Sequence, residues 1–239
     1  MEGLTPLGEN RILRNLPAEI RDEIQQCSEL IPLHQGVSVY LPGSSIEHVY
    51  FPTAGMVSLL AVLKSGLQVE TGIVGRAGLV GGSIVNGGPR AFGQATVQIE
   101  GEAWRMPRAA YLGMVEKSEA LRSLTNAYEG FLYFQAQQSS ACNSTHTPEA
   151  RLCRWILQSR DVVQSDTIQL TEEFVAHMLA VPLHAASLSA NLLKKAGLIE
   201  YAHGTIRIIN REGIAESSCE CYEAIRDYGK GLGPISSTT

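Results

Sequence analysis

The spacing of apolar residues changes character several times along this chain. From residue 10 to residue 30, Ile12, Leu13, Leu16, Ile20 and Ile24 fall on one stripe at helical spacing. That pattern predicts one or two short helices broken near Pro17. From residue 31 to residue 106 the period becomes that of β-strands. Runs at 37–41, 48–51, 56–62, 69–74, 95–99 and 103–106 are parted by Pro42-Gly43-Ser44-Ser45, Pro52-Thr53-Ala54-Gly55 and Ser65-Gly66. Gly supplies positive φ and Pro presets φ, so these clusters predict turns. Seven glycines between residues 75 and 93 interrupt the strands, too many for a regular element.

After Pro107 the helical period returns. Leu121, Leu124, Tyr128, Phe131 and Gln135 step by three and four, an a/d seam with a polar end. A helix over residues 118–142 would be about 36 Å long at 1.5 Å per residue. Such a seam suits a homodimer interface, or else packs on its own β-domain. A hinge is expected at residues 143–148, then a helix over 149–159 opened by Pro148, then a polar loop over 161–167.

The stretch from residue 170 to residue 209 carries the most information. Thr171 is an expected N-cap with Glu172 and Glu173 in the first turn. Phe174, Val175, Met178 and Leu179 give that helix its apolar face. The pattern stops at Ala180-Val181-Pro182, and Pro182 opens a second helix that runs to Ala196, with Gly197 as its stop. Two short helices joined by three residues are a helix-turn-helix. The β-hairpin expected around Ala202-His203-Gly204 adds a wing. His184, Ser187 and Asn191 share one face of the second helix, where a recognition helix carries its base-reading groups. Lys194, Lys195 and Arg207 are placed to meet phosphates.

Charge supports this placement. The formal net charge is -5, which argues against a uniformly basic surface. Within residues 181–211, however, Lys194, Lys195, Arg207 and Arg211 face only Glu200. The basic island therefore coincides with the second helix and the wing. The first residues show no basic and apolar leader, and no 18-residue apolar run predicts a membrane span. The five cysteines, Cys27, Cys142, Cys153, Cys219 and Cys221, are expected to be reduced, inert thiols in a cytoplasmic protein. Cys219 and Cys221, read as neighbours on one helix, would point about 200° apart and serve one metal poorly. None of the six histidines shows metal-site spacing, and neither a catalytic constellation nor a phosphate-cradling Gly-Lys-Ser/Thr loop is present. No enzyme, metal or cofactor is expected.

Several motifs together resemble the Crp/Fnr family of bacterial regulators. They are Tyr40-Leu41-Pro42-Gly43, His48-Val49-Tyr50-Phe51-Pro52-Thr53-Ala54-Gly55-Met56-Val57-Ser58 and Gly75-Arg76-Ala77-Gly78-Leu79-Val80-Gly81. Glu149-Ala150-Arg151-Leu152-Cys153-Arg154-Trp155-Ile156-Leu157, Leu170-Thr171-Glu172-Glu173-Phe174, Ala196-Gly197-Leu198-Ile199 and Cys219-Glu220-Cys221-Tyr222 extend the likeness over nearly the whole chain. The resemblance implies an α+β chain with three parts. These are an N-terminal double-stranded β-helix (jelly-roll) sensor domain at 1–117, a dimerisation helix at 118–145 and a winged helix-turn-helix at 146–239. It implies a homodimer on a two-fold site in double-stranded DNA, acting with RNA polymerase, with an effector in the β-roll. Expected DNA contacts are Thr171, Leu183, His184, Ser187, Asn191, Lys194, Lys195, His203 and Arg207. Expected effector contacts are Arg76, Gly78 and Arg90.

Two departures qualify the resemblance. Cyclic-nucleotide binders of the family carry a Glu for the ribose and an Arg-Ser pair for the phosphate. Here those positions hold Ala77 and Arg90-Ala91, so a response to cyclic AMP is not expected. Relatives also place Arg early in the recognition helix, where this chain has Pro182-Leu183. That difference keeps open a signalling or protein-binding module with a degenerate DNA-binding domain.

Overall fold

The computed structural model describes residues 6–231 apart from Gly87 and Pro89. Two positions of the glycine-rich stretch and both ends of the expected domain layout therefore lie outside the described residues. A 3-10 turn, Pro6–Glu9, leads into α1 (Arg11–Arg14) and α2 (Ala18–Gln26), separated at Pro17. Asn10 starts α1 by accepting from the N–H groups of Ile12 and Leu13. Its buried amide also donates to the carbonyls of Pro52 and Gly78, at 2.9 and 2.7 Å. This one side chain thus fixes the N-terminal helices to the sheet.

Strands β1 (Glu29–Leu33), β2 (Ser38–Tyr40), β3 (His48–Val62), β4 (Gln68–Val74) and β5 (Gln94–Pro107) form one antiparallel sheet in the order β1-β5-β3-β4, with β2 also paired to β5. The turn expected at Pro52-Thr53-Ala54-Gly55 is absent, and β3 runs straight through it. Its register against β5 slips between Pro52 and Ala54, between Ala54 and Met56, and again between Met56 and Val57. Gly55 takes φ +79°, and a Cβ there would sit 2.5 Å from the Ile99 carbonyl oxygen. Pro and Gly here mark bulges that bend one long strand instead of ending it. The runs expected at 95–99 and 103–106 fuse into β5 for the same reason. Gly101 lies under the bulge, where a Cβ would be 2.2 Å from the Ala54 carbonyl oxygen. Strand β1 occupies residues 29 and 30, which the apolar stripe had assigned to helix.

Helices α3 (Arg108–Lys117) and α4 (Glu119–Thr145) follow, the second capped by the Ser118 hydroxyl. Thr147 caps α5 (Pro148–Val163), which is longer than expected and ends at Gln164 with φ 55°. The expected polar loop at 161–167 is thus the end of α5 and the start of β6 (Thr167–Gln169). Next come α6 (Glu172–Leu179), α7 (Leu183–Lys195), β7 (Ile199–Ala202), β8 (Thr205–Ile208), α8 (Arg211–Ser217) and α9 (Cys221–Lys230). The three short strands form a second antiparallel sheet, β6-β8-β7. Among the described residues no helix is long and apolar enough to cross a membrane.

The α4 stripe expected as a dimer seam is buried within its own chain. Leu121 and Tyr128 belong to the core of the large sheet, at 0% and 3% exposure, and half-buried Leu124 packs against that core. Gln135 accepts from the Ile73 N–H and donates to the Ile73 carbonyl, at 3.2 and 3.3 Å. Phe131 stacks on Tyr228 of α9 with ring centroids 6.2 Å apart. The face is apolar because β4 and the Gly78 turn cover it; a Cβ on Gly78 would lie 1.7 Å from the Tyr128 ring.

The two sheets share a second core. Met56 and Ile73 of the large sheet pack with Leu152, Trp155 and Ile156 of α5. The Trp155 indole N–H donates to the Glu70 carboxylate at 2.9 Å, and the Ser58 hydroxyl donates to its other oxygen at 2.5 Å. Burial pushes the Glu70 carboxyl up to about 7, against the opposing pull of Ser58, Arg154 and Trp155.

Two expectations follow. Tyr128→Ala should destabilise the fold by about 3–5 kcal/mol, the usual loss for an aromatic deleted from a core. Urea unfolding should show the same loss at low and high protein concentration; a loss that vanishes at high concentration would return Tyr128 to a subunit interface. Glu70, with its pKa raised in the fold, favours folding in its protonated form. That contribution is whole below about pH 4.5 and is lost as pH rises through about 7. Glu70→Gln should flatten this part of the stability profile by on the order of 3 kcal/mol. Parallel profiles for both proteins across that window would refute it.

Candidate nucleic-acid interface

The helix-turn-helix is assembled as the local signals predict. The Thr171 hydroxyl accepts from the Phe174 N–H at 3.4 Å and starts α6. Ala180 takes φ 50°, a left-handed conformation that costs a non-glycine residue roughly 1–2 kcal/mol. The Val181 N–H returns to the Ala176 carbonyl at 3.1 Å, closing the turn. Pro182 is the N-cap of α7, one position outside the helix it was expected to open. The inner face of α7 is Ala186, Ser189, Ala190 and Leu193, all buried. Ser189 donates to Glu149 of α5 at 2.8 Å, which sets the rotation of α7 about its axis.

That rotation turns Leu183, His184, Leu188, Asn191, Leu192, Lys194 and Lys195 to solvent. At 100° per residue, His184, Asn191 and Lys195 lie within about 40° of one another, at the centre of the face. Three leucines flank them, with exposures of 46% for Leu183, 59% for Leu188 and 44% for Leu192. Ser187, half-buried, donates to Glu172 of α6 at 2.6 Å.

The wing lies beside this face. His203 and Gly204 take φ 50° and 70°, the double positive φ of a two-residue type I′ hairpin. The Leu170 N–H donates to the Gly204 carbonyl at 2.6 Å and anchors the hairpin to the start of α6. Arg207 donates to Glu200 directly across the hairpin, at 2.6 and 3.0 Å. Lys194 donates to the Tyr201 carbonyl at 3.3 Å, linking α7 to the wing.

Of the expected DNA contacts, Leu183, His184, Asn191, Lys194 and Lys195 come together on one exposed face, with His203 and Arg207 on the adjacent wing. Thr171 is engaged as a helix cap, Ser187 is held by Glu172, and Arg207 is held by Glu200.

The expected effector residues are dispersed. Arg76 lines a cavity of about 350 Å³ where α1, α4, α5 and α9 meet, with Gln135, Asp161, Tyr222 and Arg226. Arg90 donates to the Gly43 carbonyl at 3.0 Å on the surface. Gly78 is closed off by Tyr128. The large sheet instead holds a second cavity, about 390 Å³, lined by Tyr40, Leu60, Leu79, Phe92, Gln94 and Glu129. Among the described residues no lysine or arginine lines it, and burial pushes the Glu129 carboxyl up to about 7. Glu129 escaped the sequence reading because its α4 neighbours announce a stripe, not a cavity wall.

The cysteine expectation is corrected as well. Cys219 and Cys221 do not share a helix: Cys219 follows the end of α8, Glu220 caps α9 and Cys221 opens it. The two side chains therefore converge, and Cys142 and His146 from the end of α4 meet them. Spacing along the chain does not reveal this cluster, because it closes across more than 70 residues.

Comparison with known families and structures agrees with this architecture. Residues 150–217 match the Crp-like helix-turn-helix domain. That segment carries a Crp-like helix-turn-helix, and most of the chain has the fold of solved regulators of the Crp/Fnr type. Its fold is that of FixK2 from Bradyrhizobium japonicum (TM-score 0.68, 14% identity, 80% of this chain and 98% of that one). It is shared by a CRP-family transcriptional regulator of Thermus thermophilus (TM-score 0.65, 17% identity, 79% and 96%). A c-di-GMP-responsive global regulator, CLP of Xanthomonas campestris, also has it (TM-score 0.65, 14% identity, 80% and 99%). No curated protein matches the sequence.

Proposed function

We propose that this Crp/Fnr-type regulator acts as a homodimer on a two-fold DNA site, reading bases with α7 and gripping phosphates with Lys195 and the wing. The observation that carries this reading is the outward face of α7. The side chains of His184 and Asn191 make no intramolecular hydrogen bond among the described residues, and they stand beside an exposed wing and two lysines. A helix of 13 residues with that face fits a major groove about 12 Å wide. Leu183, in the early turn where relatives place arginine, and exposed Leu188 suit the methyl groups of thymine, so the preferred half-site is richer in A·T pairs than an arginine-read site. The exposed leucines also favour a second reading, in which α7 docks on a protein partner.

The dimer contact belongs on the other side of α4 from the buried stripe. Asn126, Gly130, Tyr133, Gln137 and Ser140 form an exposed stripe at steps of three and four. Tyr133 is 67% exposed, and Phe92 beside it is 91% exposed. Two copies of α4 crossing here would cover both rings. Phe92, Glu129 and Tyr133 also line the 390 Å³ cavity, so an effector bound there would touch the dimer contact directly. The Glu129 carboxyl and the lack of cationic lining favour a neutral or cationic effector over a phosphate.

Site selection from random duplexes tests the DNA reading. The wild type should enrich a palindrome with half-sites about 34 Å apart. His184→Ala should shift the preference at one position per half-site by about 1–3 kcal/mol. Lys195→Ala should weaken all sequences alike and lower the salt slope by about 1 per chain. Enrichment of nothing by the wild type would leave the partner-docking reading. For the dimer, Tyr133→Lys should give a monomer in sedimentation velocity with unchanged circular dichroism. A Tyr133→Lys dimer as tight as wild type would exclude this face.

A further inference from the structure

We propose that Cys142, His146, Cys219 and Cys221 form a closed tetrahedral site for a zinc-type divalent cation, which clamps the end of α4 to the α8–α9 corner. The four donor atoms lie within 4.8 Å of one another. Cys142 Sγ is 3.5 Å from Cys219 Sγ, and Cys221 Sγ is 3.7 Å from His146 Nδ1. With Zn–S near 2.3 Å and Zn–N near 2.0 Å, the edges of a tetrahedron are about 3.8 Å between sulfurs and about 3.5 Å between sulfur and nitrogen. The two recorded edges already match these within a few tenths of an ångström. Three thiolates and one imidazole are a donor set for zinc and other thiophilic metals, not for magnesium or calcium. Four protein ligands leave no open position, so the site is structural.

The surroundings are those a metal centre needs. His146 Nε2 lies 3.0 Å from the Glu220 carboxylate. A proton held there leaves Nδ1, which also lies 3.3 Å from the Thr145 hydroxyl, with its lone pair toward the sulfurs. This carboxylate–histidine relay is the usual support of a metal-bound imidazole. Gln138 donates to Cys221 Sγ at 3.1 Å. Charge gives an independent argument. Arg151 and Arg154 are each 5% exposed, and the Nε of each has no hydrogen-bond partner. Among the described residues neither has a carboxylate within 4 Å. Both lie close enough to influence the Cys142 thiol. Three thiolates around a divalent ion carry a net charge of about −1, a counter-charge close to these buried guanidinium groups, whose carboxylates Glu149 and Glu70 act on them only from beyond 4 Å. Binding moves no electrons: each thiol releases its proton to solvent as its sulfur joins the ion, and neutral His146 contributes its lone pair. A disulfide between Cys142 and Cys219 would need the sulfurs to close from 3.5 Å to about 2.05 Å, and would leave His146, Cys221 and Gln138 without a role.

The clamp sits beside the short link between α4 and α5, so it fixes how the winged domain follows α4. If the DNA reading holds, removing the metal should loosen operator binding; the metal test itself needs no DNA. The full chain, purified under reducing conditions without chelator, is assayed by inductively coupled plasma mass spectrometry. The expected result is one zinc per chain. Cobalt(II) added to the stripped protein should give a tetrahedral ligand-field spectrum with thiolate charge-transfer bands. Zinc should protect three thiols from Ellman's reagent. Competition with a chromogenic chelator should show Glu220→Gln binding zinc about 10–100-fold more weakly, with unchanged circular dichroism, since this exposed carboxylate only orients His146. Cys221→Ser should lose about a third of the cobalt charge-transfer intensity, the share of one thiolate in three. Substoichiometric zinc together with equal zinc affinity in wild type and Cys221→Ser would overturn the proposal. So would an octahedral cobalt spectrum, or a Cys142–Cys219 disulfide as the sole modification of stripped protein that takes up no zinc.

Discussion

Helix α5 has no solvent face for most of its length, and the rest of the molecule is arranged to cover it. Residues Arg151 to Ser159 are buried without a break. A helix buried all round must find a partner on every side. Met56 and Ile73 cover one side from the large sheet, α7 and α8 cover others, and α9 closes the remainder. Trp155 shows the demand most clearly: the largest fully buried side chain, it still finds an acceptor for its N–H in Glu70 of the opposite lobe. Separating the lobes would expose the indole, strip Glu70 of a donor and leave two buried arginines without their surroundings. In this geometry, sensor-like sheet and winged domain are one cooperative body.

This constraint decides what α4 and α7 can do. Because β4 and α9 already occupy one stripe of α4, any second chain must use the opposite face, where Gly130 and the serines allow close approach and Tyr133 and Phe92 lack cover. Because α6 and α5 occupy the small-residue face of α7, the outer face is fixed by default. The 390 Å³ cavity lies between the large sheet and α4, with Glu129 reaching it from α4 itself. On the proposed effector reading, a change of charge or occupancy in that cavity would act on the helix that joins the sheet to the winged segment, with no long relay needed.

The sequence made some of this legible for physical reasons. The winged helix-turn-helix rests on short-range signals: a threonine cap, a proline boundary, Gly197 at φ +70° and a two-residue hairpin turn. Each is decided by residues within a few positions of one another, so spacing alone reports it. The long strands were hidden because Pro52 and Gly55 signal a turn locally and are overruled by pairing with β5 nearly fifty residues away. The periodicity of α4 announced an apolar face correctly, but a period names no partner; the turn at Gly78 that receives Tyr128 is a tertiary fact. The cysteine cluster was the hardest to see. On one continuous helix Cys219 and Cys221 would diverge, whereas the break at Ser218 turns them toward a common point.

An acidic chain can still present a DNA-binding surface, and the hydrogen bonds around α7 show how. Arg207 is held by Glu200 and Ser187 by Glu172, both on the exposed surface. Exposed pairs of this kind contribute only about 0–1 kcal/mol, so a phosphate oxygen can displace Glu200 from Arg207 at little cost. The acids near the reading face then act as placeholders that keep the basic groups extended in the free protein. They also repel phosphates unless the approach brings Lys195 and the wing to the backbone first. On the proposed DNA reading, register on the duplex would be set by the wing and the end of α7, and His184, Asn191 and the leucines would discriminate among bases only in that register. Specificity from so modest a positive charge requires the wing and α7 to keep a fixed relative orientation. The Lys194–Tyr201 and Leu170–Gly204 hydrogen bonds provide it.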